Sequence, residues 1–184
     1  GRFLYEDTSG GGRRSIGWMG TDVSHPDINS TVNAIDAHYF SADQRWALDG
    51  QFMHSDVDGV TGSGFLGDVS YIPRQGAQHI FRATYIDDEF DMNDVGFLAR
   101  NSQQNLDYNF VLTESDIPGL QSRTTTIALT NQYNIDGTPV QNAQSVARTW
   151  NYLNNDTVDV QFLYLPKRAD DRLGRGTGDF RIPE

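Results

Sequence analysis

Cysteine is absent from the 184 residues, which excludes a disulfide scaffold and any cysteine-based zinc site. Long apolar runs are also missing. No window approaches the ~18 consecutive apolar residues of a membrane-spanning helix. Basic residues are scarce, with 14 Lys and Arg against 25 Asp and Glu and a net charge of −11. Nucleic acid is therefore excluded as a partner, because phosphate binding needs clustered positive charge. Apolar residues as a class make up only 37%. Yet the chain carries ten Phe, eight Tyr, three Trp and 18 Gly, a profile foreign to disordered segments. It fits a turn-rich all-β protein.

Two-residue alternation of apolar and polar side chains dominates the sequence, with almost no helical periodicity. It predicts about nine strands in one all-β unit over 1–184, at 13–23, 30–40, 45–54, 63–72, 78–87, 104–114, 121–134, 141–153 and 157–166. Most exceed the ~5–6 residues typical of soluble domains and match the ~9–11 needed by a tilted strand that crosses a bilayer. The predicted links, among them 41–44, 55–62, 73–77 and 88–103, alternate shorter with longer. Outer-membrane barrels behave this way, with short periplasmic turns and longer extracellular loops.

Closing 30–40 onto 45–54 around a four-residue turn pairs Phe40 with Arg45 and sets Asp36 opposite Asp49. One face then collects Ile35, Ala37, Tyr39, Trp46, Leu48 and Phe52, and the other Asp36, His38, Asp49 and Gln51. A single register that separates the two classes is what an antiparallel pair with one apolar face requires. Closure around 73–77 gathers Phe65, Val69, Tyr71, Phe81 and Tyr85 and sets Asp68 opposite Arg82. Closure around 154–156 gathers Trp150, Tyr152, Val158, Val160, Phe162 and Tyr164.

An apolar face can be the core of a soluble antiparallel β-sandwich or the lipid face of a barrel whose polar face lines a wet lumen. Tyr39, Trp46, Tyr71 and Tyr152 lie close to short turns on the apolar face, the level at which amphipathic rings gather in membrane barrels. The barrel reading is preferred. Asp36, His38, Asp49, Gln51, Asp68 and Arg82 are then lumen-facing.

The stretches GRRSIGWMGTDV, NAIDAHYFSADQRWALDGQFMHS and HIFRATYIDDEFDMNDVGFLARN resemble a family of large bacterial outer-membrane proteins of unknown function. In that family a carbohydrate-binding family-nine-like domain precedes a β-barrel. The matching pieces are Ile16-Gly17 with Thr21, Asn33 with Asp36, Trp46-x-Leu48-x-Gly50, and Phe90 followed by Gly96-Phe97-Leu98 and Arg100. They cover residues 1 to about 115, roughly the first two-thirds. The resemblance implies a bacterial outer-membrane location, lipid as the surrounding partner and a link to glycans. The carbohydrate-binding domain is missing from these residues and the strands are too few for the family's barrel. The chain is therefore expected to be an internal section, completed by remaining barrel strands or partner chains.

The acidic stretch 87–101 invites a calcium reading. Asp91-x-Asn93 with Gly96 matches three positions of a calcium loop. Val95 then stands where an oxygen ligand belongs and Ser102 where the bidentate Glu belongs, so Asp91, Asn93 and Asp94 make only a weak calcium candidate. No other cofactor is expected. The preferred reading is a solvated loop anchored by Phe90, Phe97 and Leu98, with Arg100 relieving the acidic repulsion by pairing with Asp91 or Asp94. Asp56-x-Asp58-Gly59 reads as a hairpin turn rather than a metal site. Asp36 and Asp49 as an opposed carboxylate pair could support acid–base chemistry, but lumen-lining acids are ordinary and no catalytic residue is assigned. The histidines at 25, 38, 54 and 79 show no metal-ligand spacing, and no nucleophile elbow or phosphate loop is present. The expected function is an outer-membrane barrel for passage or surface handling of polar solutes, glycans among them. The alternative is a soluble all-β carbohydrate-active enzyme or carbohydrate-binding module.

Overall fold

In a computed structural model of the chain, residues 1–24, 26, 28–92, 100–166, 168–170 and 180–182 are described, the last two segments by backbone alone. The strands are β1 (Arg2–Asp7), β2 (Arg13–Ser24), β3 (Asn29–Phe40), β4 (Trp46–Val57), β5 (Val60–Arg74), β6 (Ala77–Ile86), β7 (Gln103–Glu114), β8 (Leu120–Tyr133), β9 (Pro139–Tyr152) and β10 (Thr157–Tyr164), with short β11 (Arg168–Asp170) and β12 (Phe180–Ile182). The first ten form one antiparallel up-and-down sheet in chain order, and β11 pairs with β12 separately. The protein is all-β. Among the described residues β1 and β10 do not pair, so the sheet is open, with these two as its edges. Among the described residues no helix is long and apolar enough to cross a membrane, which leaves a crossing by strands untouched.

Nine of the ten main strands lie where the alternation places them. The tenth, β1, was not expected, and it pairs along its whole length with β2, from Arg2↔Met19 to Asp7↔Arg14. The β4–β5 link also differs from expectation. It is the two residues Asp58 and Gly59 rather than 55–62, with φ of 51° and 83°. Two successive positive φ values define a type I′ hairpin turn, for which Asp-Gly is a favoured pair. The strands therefore run on to Val57 and from Val60. With that link so short, the expected alternation of long and short connections does not hold. The long connection is 87–102, between β6 and β7.

The β3–β4 register corrects the expected pairing. His38, not Asp36, faces Asp49, and Asp36 faces Gln51. The cause is the turn. The Ser41 amide bonds to the Trp46 carbonyl at 2.9 Å, and Ser41 Oγ accepts from the backbone N–H groups of Arg45 and Trp46 at 3.1 and 2.9 Å. Arg45 is thereby drawn into a wider turn and the pairing slides by two residues. Since side chains alternate with period two, a slip of two preserves both faces. The 73–77 closure has the expected register, with Asp68↔Arg82 and Phe65↔Tyr85. At the last hairpin Val158 pairs with Trp150 and Phe162 with Val146, which keeps the expected apolar face.

The apolar face is exposed along its whole length, and the polar face is open at its charged row and sheltered only at its long-loop end. Phe52 is 51% exposed and Phe162 70%, and Phe3, Ile16, Ile35, Leu48, Phe65, Phe81 and Val160 are exposed with them. The polar face holds the shelter: Ser30 and Ser55 are only 2% and 0% exposed. A soluble two-layer fold would bury the apolar face instead.

Candidate functional site: the polar face and its seated loop

On the polar face, cross-strand pairing aligns His38 of β3, Asp49 of β4, Asp68 of β5, Arg82 of β6 and Asp107 of β7 in one row. Two acids, Asp49 and Asp68, stand directly opposite each other, which would be destabilising alone. Each has a cationic or proton-donating neighbour. His38 Nδ1 lies 2.5 Å from Asp49 Oδ1, and Arg82 Nε lies 3.1 Å from Asp68 Oδ1. His38 Nε2 also meets Asp36 Oδ2 at 3.1 Å. A ring protonated on both nitrogens can donate to both carboxylates, whereas a neutral ring donates to one.

Asp36, His38, Asp49 and Asp68 line an open hollow that Arg2, Gln51 and Leu66 extend. All six residues read from the sequence as lumen-facing, Asp36, His38, Asp49, Gln51, Asp68 and Arg82, therefore share one face. The opposed Asp36–Asp49 pair considered for acid–base chemistry is not formed, because an imidazole stands between the two carboxyl groups.

Toward the long-loop end the polar face changes character. Residues 87–92 of the β6–β7 loop lie on it. Phe90 is 1% exposed and joins Ala34 of β3, Met53 of β4 and Ile86 of β6 in one cluster, with Met92 packed alongside. The Asp91 amide donates to Ser55 Oγ at 3.0 Å. Small residues make the seat. A Cβ at Gly62 would stand 2.2 Å from the Phe90 nitrogen, so the loop backbone rests directly on the sheet. The neck of the loop is closed by Ser102 N–H to the Asp87 carbonyl at 3.2 Å and by Asn101 Nδ2 to the Asp88 carbonyl at 2.6 Å.

Of the expected loop anchors, Phe90 is buried on the polar face of the sheet. Arg100 bonds through its guanidinium to Asn134 Oδ1 in the β8–β9 link at 2.5 Å. Phe97 and Leu98 lie outside the described residues, as do the calcium candidates Asn93 and Asp94 and the histidine at position 25. Among the described residues no His, Cys, Asp or Glu cluster could hold a metal ion. The seat itself was not anticipated. Its signal is Gly62-Ser63-Gly64, which puts two glycines on the polar face of β5 beside Ser30, Ala34 and Ser55.

On the opposite face the rings form a lateral row. Trp46 stacks on Tyr71 with centroids 4.2 Å apart, Tyr71 on His79 at 6.1 Å, and His79 meets Phe110 at 4.8 Å. Pairing extends this row through Ile127 and Val146 to Phe162. Tyr39 stands beside it, opposite Leu48. Tyr152 does not fall in it, because β9 enters the row at Val146. The expected common level of Tyr39, Trp46, Tyr71 and Tyr152 is therefore not a hydrogen-bonded row.

Comparison with protein-family models, curated proteins and solved structures found no match.

Proposed function

We propose that this chain belongs to a bacterial outer-membrane β-barrel that passes or handles polar solutes at the cell surface, with the apolar face toward lipid and the polar face toward a wet lumen. The supporting observation is the inversion of burial. Large apolar side chains from Phe3 on β1 to Tyr164 on β10 stay exposed on one face, while serines are buried on the other. In water such a continuous apolar surface is a liability. In a bilayer it is the required exterior, flanked by aromatic residues at the headgroup level.

Strand length supports the same reading, since β2, β3, β4 and β7 each have 12 residues. The resemblance to outer-membrane proteins with a carbohydrate-binding companion domain adds glycans as the solute class. Completion of the barrel by further strands or partner chains would cover the edges at β1 and β10, which otherwise offer unpaired backbone groups.

Purification with and without detergent tests the proposal. The expected outcome is recovery in the membrane fraction and loss from solution when detergent is removed. A monodisperse species in detergent-free buffer would instead favour the soluble carbohydrate-binding or carbohydrate-active alternative.

A further inference from the structure

One cation breaks the apolar face. On β9 that face carries Val146, Arg148 and Trp150, paired with Phe162, Val160 and Val158 on β10 and with Ile127, Thr125 and Arg123 on β8. A guanidinium thus stands in the row that runs from Leu112 through Thr125 to Val160. Val146 and Val160 beside it are exposed. Residues Thr149 to Tyr152 separate Arg148 from the turn that ends β9, which at ~3.3 Å per residue is roughly 13 Å along the strand. The protein neutralises two other cations of this face itself, Arg14 by Asp7 and Arg123 by Glu114, each at 2.8 Å. Arg74 ends β5 at its turn. Among the described residues no carboxylate reaches Arg148. Asp159 of β10 points to the other face, where it accepts from Thr149 Oγ1.

The posture of the side chain points to what covers it. Arg148 Nε donates to Thr125 Oγ1 at 3.1 Å, and the guanidinium carbon lies 5.9 Å from the centre of the Trp150 ring. Cation over indole is a favourable contact. Trp150 is on the short-turn side of Arg148, so the guanidinium leans out of the apolar belt toward the nearer boundary, as long cationic side chains do in lipid. With Nε spent on Thr125, both Nη groups remain and present a planar fork matched to two oxygens of a phosphate. We infer that Arg148, Thr125 and Trp150 form a binding site for the phosphate of an anionic phospholipid in the leaflet on the short-turn side. The inference rests on the barrel reading, since only there does the apolar face meet a bilayer. That leaflet is the periplasmic one in an outer-membrane barrel. The lean toward the boundary selects a headgroup over a carboxylate from a neighbouring chain, which would meet the guanidinium within the belt. A zwitterionic lipid carries its own cation beside the phosphate, so the unneutralised Arg148 selects a lipid that does not.

Fluorescence of the full chain tests the site. With Trp18→Phe and Trp46→Phe, Trp150 is the one remaining indole of three. The protein is reconstituted in phosphatidylcholine vesicles with a minor fraction of brominated lipid, either phosphatidylglycerol or phosphatidylcholine, the bromines being near the headgroup end of the acyl chains. At equal fractions, brominated phosphatidylglycerol should quench Trp150 several-fold more than brominated phosphatidylcholine. Arg148→Gln should remove that excess and leave the phosphatidylcholine quenching in place. Arg14→Gln, on the same face, should keep the excess. Arg148→Lys retains the charge without the fork and should lower the excess, which keeps the test open if the Gln variant does not fold. Equal quenching by the two lipids overturns the site and leaves the barrel reading standing, and so does an excess that survives either substitution at Arg148. No quenching by either lipid removes the barrel reading and the site with it.

Discussion

His38 on β3 and Asp49 on β4 are cross-strand partners, with Nδ1 of the imidazole 2.5 Å from a carboxylate oxygen. Asp49 in turn faces Asp68, which Arg82 neutralises. The row depends on one imidazole at one end and one guanidinium at the other to hold two opposed acids. His38→Gln should therefore destabilise the sheet. All four groups are substantially exposed, so the loss should be about 0.2–1 kcal/mol, as for accessible ion pairs. Asp49→Asn in the same background should recover most of it by removing the repulsion. Denaturant titration of the folded state checks both, and additivity of the two losses would contradict the coupling.

The β3–β4 turn is organised by Ser41, which is 7% exposed. Its hydroxyl accepts two backbone N–H bonds and donates to Asp43 Oδ1 at 2.6 Å. Ser41→Ala leaves the Trp46 amide without this partner, while the Arg45 amide keeps Asp43 Oδ1 at 3.2 Å, and should cost about 1–3 kcal/mol. The Ser41 hydroxyl, followed by the Arg45 amide, holds the Asp43 carboxyl below the usual aspartate range. A depressed pKa contributes stability above the ordinary value and loses it as pH falls through the folded one. The native chain should thus weaken slightly as pH falls below the ordinary aspartate range in a way that Asp43→Asn does not. An identical pH profile for the two proteins would remove Asp43 from the turn's energetics.

Glycines on the two faces of the sheet make a controlled pair. A Cβ at Gly50 meets nothing within 4 Å, whereas one at Gly62 would overlap the Phe90 backbone. Gly50→Ala should be neutral or stabilising by about 0.4–1 kcal/mol through the unfolded chain. Gly62→Ala should unseat the loop at a cost of about 1–3 kcal/mol. Limited proteolysis within 87–102 reads the difference, with faster cleavage expected only for Gly62→Ala. If both variants are cleaved like the native protein, the loop does not depend on close approach to β5.

The fold was legible wherever a rule of period two sufficed. Faces survive a slip of two residues, which is why Trp46 and Leu48 fall on the apolar side and Asp49 and Gln51 on the polar side although the β3–β4 register moved. Pairing partners needed more than periodicity. The register at Asp68↔Arg82 is set by the Gln75-Gly76 turn together with a bulge between Tyr71 and Arg74, and that at His38↔Asp49 depends on hydrogen bonds to one serine hydroxyl. β1 is short, six residues, and its Gly-rich link to β2 hid the hairpin. The seat of Phe90 was hidden for a different reason. An aromatic in an acidic loop carries no record of which surface it meets, and its complement, Gly62 with Ser30, Ala34 and Ser55, is scattered over three strands.

The three tryptophans, Trp18, Trp46 and Trp150, provide the most direct test of which face meets lipid. All lie on the apolar face, opposite Ile35, Tyr71 and Val158 respectively. In a barrel their rings belong at the membrane–water boundary, where an amphipathic indole is favoured. Ala47 is the neighbour of Trp46 in sequence and points to the other face, paired with Ser70. Two variants in a background with the other tryptophans replaced by Phe make the comparison: one keeps Trp46, the other carries Trp46→Phe with Ala47→Trp. Reconstituted with lipids bearing a quencher near the headgroup, the Trp46 protein should lose most of its fluorescence. The Ala47→Trp protein should be quenched instead by a water-soluble agent such as acrylamide. Adjacent residues would then report opposite solvents, as the pleat of a single strand between lipid and lumen requires. Equal lipid quenching at both positions, or none at Trp46, would mean that the apolar face does not meet lipid.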